Sequence, residues 1–264
     1  MGLLFPIAAG QTDADSPLDQ ALMDAIRLDL GDHETRIAAV EGATSDLLFD
    51  HFTRDSRAIG GATHRPSADR FSYREVGGGT VALLTTGHIC RVHTGTVNGD
   101  VAVLRANMRQ TPAQLPRCVI RMQVDTWNAT NFDFFVGLAD DTSTAGYGDT
   151  TIGAGGPDNG VYAELSGGQM QFVVEQGAAR TAGTPFTLPS TGAWFEIDIT
   201  YTDADSVVCK IDGTTKSTFD AGNVPTGFVV MYSGIAFSNN AAATARNYDI
   251  DRIRAELLGL ADSA

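Results

Sequence analysis

Lysine is almost missing from this chain. Of 264 residues only Lys210 and Lys216 are lysine, and 18 basic residues face 32 acidic ones, for a net charge of -14. Such an acidic chain repels phosphate backbones, which sets nucleic acid aside as a partner. Cysteine is sparse as well. Cys90, Cys118 and Cys209 form an odd, widely spaced set with no Cys-x-x-Cys. They are expected to be buried thiols of a protein assembled in a reducing cytoplasm. No apolar stretch approaches the ~20 residues of a membrane span. The opening MGLLFPIAAG is apolar, but no Lys or Arg precedes the run and Pro6 interrupts it, which argues against a secretory signal. There is no Gly-x-Ser-x-Gly elbow and no phosphate-binding glycine loop ahead of a helix. His88 and Cys90 alternate onto one strand face and His93 onto the other, so no four-ligand zinc set forms there.

Glycine, by contrast, is abundant at 29 residues, and 43% of the chain is hydrophobic. Many tight turns around a real core favour β structure. Strand patterns recur at 80–86, 88–93, 100–107, 117–125, 132–139, 160–165, 169–176, 194–202, 206–212, 214–219, 227–237 and 246–257. Gly167-Gly168 and Asp212-Gly213 mark hairpin turns. From Trp194 to Tyr201, Phe195, Ile197, Ile199 and Tyr201 face one way and Trp194, Glu196, Asp198 and Thr200 the other. Many short strands with no helix between them predict an antiparallel sandwich or barrel.

The order of these strands carries a resemblance. Phe132-Asp133-Phe134-Phe135-Val136-Gly137-Leu138, then Gly160-Val161-Tyr162-Ala163-Glu164 and Phe172-Val173-Val174-Glu175, resembles the concanavalin-A/laminin-G-like jelly-roll sandwiches of bacteriophage tail and head fibre proteins. So do Trp194-Phe195-Glu196-Ile197-Asp198-Ile199, Val208-Cys209-Lys210-Ile211-Asp212-Gly213 and the closing Tyr248-Asp249-Ile250-Asp251-Arg252-Ile253. The likeness covers about 80–257 and is one of strand types, so it speaks to fold more than to function.

The N-terminal quarter reads differently. Ser16-Pro17 starts a helix, and Leu30, His33, Ile37 and Val40 follow at heptad steps before Gly42. Arg36-Ile37-Ala38-Ala39-Val40-Glu41 resembles the short Arg-h-x-x-h-Glu trimerisation motif. It puts β-branched residues at both core positions and Arg36 and Glu41 at flanking ones. The expected plan is mainly β: an anchoring arm over 1–16, a trimeric coiled-coil helix over 17–42, a connector over 43–79 and a jelly-roll sandwich over 80–264.

For chemistry, Glu196-Ile197-Asp198-Ile199-Thr200 has Thr where a Glu-x-Asp-x-Glu glycosidase strand carries its second glutamate. A partner carboxylate would have to come from Glu164 or Glu175. Asp140, Asp141, Asp149, Asp158 and Asn159 in the loop 139–160 could ligate calcium, and Tyr147 could stack on a sugar. Asn128-Ala129-Thr130 matches a glycosylation acceptor but carries no weight in a bacterial host. The reading is a non-enzymatic virion protein with no cofactor unless calcium. It is a homotrimeric tail, neck or head fibre or spike, docked through its arm to other virion proteins and touching host-surface glycan with its sandwich. A capsid cement protein, a stand-alone lectin-like module and a polysaccharide-cleaving enzyme are the alternatives. Ile37→Asp, by burying charge on the seam, is expected to reduce the light-scattering mass from three chains to one. An intact trimer would assign assembly to the sandwich instead.

Overall fold

A computed structural model describes residues 47–50, 70–84, 89–127, 132–140, 158–166, 168–177, 179–239 and 245–259. The coiled-coil residues Leu30, His33, Arg36, Ile37, Val40 and Glu41 lie outside these, as does His88. Among the described residues no helix is long and apolar enough to cross a membrane.

The strands are β1 (Leu47–Asp50), β2 (Phe71–Val76), β3 (Thr80–Leu83), β4 (Cys90–His93), β5 (Val101–Ala106), β6 (Pro116–Val124), β7 (Phe132–Ala139) and β8 (Asn159–Ser166). They continue with β9 (Gln169–Gln176), β10 (Ala179–Ala182), β11 (Phe195–Asp203), β12 (Ser206–Ile211), β13 (Thr214–Phe219), β14 (Tyr232–Asn239) and β15 (Asn247–Leu257). One sheet has eight strands in the order β13-β12-β11-β6-β15-β4-β3, with β1 also against β15. The other has seven, in the order β10-β9-β8-β7-β14-β5-β2. Every strand pair is antiparallel. Consecutive strands repeatedly switch sheets, as a sandwich with crossing connections requires.

Period-two alternation builds the core. Cys118, Ile120, Met122 and Val124 of β6 point inward with Phe195, Ile197, Ile199 and Tyr201 of β11. Phe134, Val136 and Leu138 of β7 and Met170, Phe172 and Val174 of β9 meet them from the other sheet. Phe237 of β14 stacks on Tyr248 of β15 with ring centroids 3.5 Å apart and planes 7° from parallel, so one aromatic pair joins the middles of both sheets. All three cysteines are free and buried. Burial pushes the Cys118 thiol up to about 12, so it stays protonated.

The residues before 80 contribute strands of their own. Within the stretch 43–79, expected as a connector, β1 pairs with β15 and β2 with β5. Gly77-Gly78-Gly79 forms the turn between β2 and β3. Asp100 accepts from the Gly78 and Val97 amides at 2.8 Å each. A Cβ at Gly77 (φ 62°) would sit 1.9 Å from the Asp100 Oδ1, and one at Gly95 (φ 75°) 2.2 Å from its Oδ2. Only glycine lets the chain close around that carboxylate. The third strand missed by pattern is β10, whose Ala-Arg-Thr-Ala has no apolar alternation and exists by pairing with β9.

Phe237→Ala is expected to destabilise the sandwich by about 3–5 kcal/mol, since it opens a cavity between the sheets. A lowered urea midpoint at unchanged slope is the check.

Candidate functional site

The two outer faces differ in chemistry. On the eight-stranded sheet the outward faces of β4, β6, β11 and β15 carry arginines and carboxylates that satisfy one another. Arg117 grips Asp198 with two hydrogen bonds, at 3.1 and 2.8 Å, and also reaches Glu256 at 3.3 Å. Arg91 holds Asp249 the same way, at 2.6 and 2.8 Å. Arg121 pairs with Asp251, Arg252 with Glu196 and Arg254 with Glu256. Burial tends to raise the Asp198 carboxyl, but hydrogen bonds from Arg117 and Thr200 outweigh it and hold the group below its ordinary 3.8. Its charge therefore stabilises the fold at neutral pH, and that contribution is lost as pH falls through the lowered value.

The Glu196–Asp198 strand is thus a closed ion-pair face. Glu164 and Glu175 stand on the other sheet, with the core between, so neither can complete a carboxylate pair with it. Cys90 turns into the core, while His93 faces outward and meets Asn247 Oδ1 through Nδ1 at 2.9 Å. That separates the pair, as the alternation predicts.

On the seven-stranded sheet the outward face has an apolar, buried middle made of Val101, Val103, Phe135, Ala139, Tyr162, Val173 and Ala236. A polar group adjoins it at the β8-β9-β10 edge. The hairpin sets Glu164 opposite Gln171 and Tyr162 opposite Val173, while Glu175 stands between Gly160 and Arg180. All of these point outward. Gln171 Nε2 donates to Glu164 Oε1 at 2.6 Å. Arg180 bonds the same carboxylate and lies 3.6 Å from Glu175 Oε1. The Arg180 side chain is 42% exposed and that of Glu175 only 9%. Burial raises the Glu175 carboxyl; the neighbouring Tyr162 hydroxyl and Arg180 pull it back, and Glu164 and Asp140 push it higher. Burial and Glu175 together raise the Tyr162 phenol. The Tyr162 oxygen is sealed from solvent and has no hydrogen-bond partner of good geometry.

The loop 139–160 starts and ends beside this group. Asn159 donates to Asp140 Oδ2 from its backbone at 3.1 Å and from its side chain at 3.3 Å, which clasps the loop at its base. Asp158 is exposed. Asp141, Tyr147 and Asp149 lie outside the described residues. Among the described residues no three or more His, Cys, Asp or Glu side chains gather to hold a metal. The loop residues and Glu164 and Glu175 were legible as candidates in the sequence. Gln171 could have been added from its strand alternation; Arg180, on a strand with no apolar signature, could not.

No protein-family model matches the sequence, and no curated protein matches it. Solved structures do. A protein of unknown function from Shewanella oneidensis aligns at a TM-score of 0.56 with 16% identity, covering 83% of this chain and 89% of that one. The carbohydrate recognition domain of Emp46p, in its metal-free form, aligns at 0.52 with 11% identity over 71% and 88%. A β-1,3-glucanase from Mycobacterium marinum aligns at 0.53 with 11% identity over 79% and 97%. The shared fold is a sandwich of two antiparallel sheets. At these identities the likeness is one of fold alone. It bears out the expectation of a mainly β, antiparallel sandwich and is consistent with a jelly roll; it reaches neither the phage affiliation nor the coiled coil.

Glu175→Gln tests the electrostatics of this face. A carboxylate raised by folding weakens the folded state when ionised, and that penalty fades as it takes up a proton. The variant is therefore expected to melt at a higher temperature than the parent at pH 7, with the gain vanishing as pH falls below 4.5, the ordinary value.

Proposed function

We propose that this chain is the glycan-contacting head of a trimeric bacteriophage appendage, a fibre or spike of tail, neck or capsid. The arm docks to the particle, and the Arg36–Glu41 motif sets three-fold symmetry. Glycan contact rests on one observation, the outward group Glu164, Gln171, Glu175 and Arg180 at the edge of a concanavalin-A-like sheet. Carboxylates, an amide and a guanidinium side by side supply both acceptors and donors for sugar hydroxyls. The role on a particle is supported by the trimer motif and by the fibre-like strand order of the sequence. A cement protein of the capsid would use the same parts with a different docking site.

One observation favours a second reading, polysaccharide cleavage. Glu164 and Glu175 flank one guanidinium, and burial raises one of the two, as an acid and base pair would need. Against it, Arg180 lies between the carboxylates, where a glycosidic oxygen would have to sit. We therefore favour binding without cleavage.

The full chain on an array of bacterial surface glycans is expected to retain a subset of them and to lose it on Arg180→Ala. Retention of none would overturn the glycan role. Release of new reducing ends from a bound polysaccharide, abolished by Glu164→Gln, would replace binding by hydrolysis.

A further inference from the structure

The polar group on the β8-β9-β10 edge is short of one positive charge. Glu164 receives both close donors, the Gln171 amide and the Arg180 guanidinium. The only cation Glu175 meets among the described residues is Arg180, at 3.6 Å, beyond hydrogen-bond length. Two carboxylates thus share one cation, and the looser partner is the more deeply buried of the two. Beside it, Tyr162 is 1% exposed, and its hydroxyl neighbours the Glu175 carboxylate but makes no hydrogen bond of good geometry. A phenol can lend that carboxylate a hydrogen bond but no positive charge, and a buried charge without a matching one is costly.

We infer that this pair is a subsite for a primary ammonium, and that the glycan contacted here carries a free amino sugar. The inference rests on the glycan role proposed above. An ammonium is compact and offers three donors and no acceptor. One hydrogen can go to Glu175 and another to the Tyr162 oxygen, and the positive charge matches the unshared carboxylate. A neutral sugar hydroxyl could fill the hydrogen bonds but not the charge. An N-acetyl group removes the charge, and a uronic acid meets repulsion from both glutamates. The exposed Arg180 is the outermost member of the group, on the edge strand, so a chain end or branch approaches from that side.

The test is calorimetric titration of the full chain with three tetrasaccharides: β-1,4-glucosamine, its fully N-acetylated form and α-1,4-galacturonate. The free-amine form is expected to bind about tenfold more tightly than the acetylated one, the scale of one charge-assisted hydrogen bond. Galacturonate is expected not to bind. Glu175→Gln should abolish the preference for the amine, and Tyr162→Phe, which leaves the charge in place, should reduce it, with folding confirmed by circular dichroism. Attraction of a polycation to a chain of net charge -14 would survive the loss of one carboxylate. An undiminished preference in Glu175→Gln therefore overturns the subsite. Equal or tighter binding of the acetylated or acidic sugar overturns it while leaving the glycan role standing. Binding of no sugar by the parent overturns both.

Discussion

The whole molecule hangs on the burial of two inner sheet faces against each other. Sandwich cores of this kind are about 10 Å thick, so each inward side chain must meet one from the opposite sheet. Phe237 on Tyr248 is the central instance, and Phe134 joins them with its ring centroid 5.0 Å from that of Phe237. Because successive residues alternate sides, a slip of one residue in any strand would expose this aromatic cluster and bury its charged neighbours. The register of every strand therefore follows from the core, and the positions of the outward groups follow from the register.

The same constraint explains why the outer faces diverge. β6 and β15 lie side by side in the eight-stranded sheet, so Arg117, Arg121, Arg252 and Arg254 fall among Asp198, Asp251, Glu196 and Glu256. There each carboxylate finds a guanidinium, and Asp198 is more acidic than usual as a result. In the seven-stranded sheet the outward residues are apolar in the middle, and two glutamates compete for Arg180 at one edge. Burial acts on Asp198 and Glu175 alike; what separates them is whether a guanidinium arrives within hydrogen-bond distance. A face whose charges are already matched has little left to offer a ligand, which is why glycan contact is proposed at the unmatched edge.

By itself the sequence determined most of the fold. Alternation in 132–139, 169–176 and 214–219 marked β7, β9 and β13 with their bounds, and Phe195, Ile197, Ile199 and Tyr201 all enter the core as their spacing required. That succeeds because period-two patterning is a local property, fixed by the pleat of a single strand. It also marked Asp140 and Asn159, Glu164 and Glu175 as chemically interesting. It could not mark β1, β2 and β10, whose short segments become strands only when a neighbour supplies hydrogen bonds. Only the tertiary structure decided which carboxylates share a face. Glu196 and Asp198 were set apart from Glu164 and Glu175 by the thickness of the core. Arg180 was brought beside Glu175 by an edge pairing whose local sequence carries no strand pattern, because a contact across strands depends on register and sheet order rather than on local spacing.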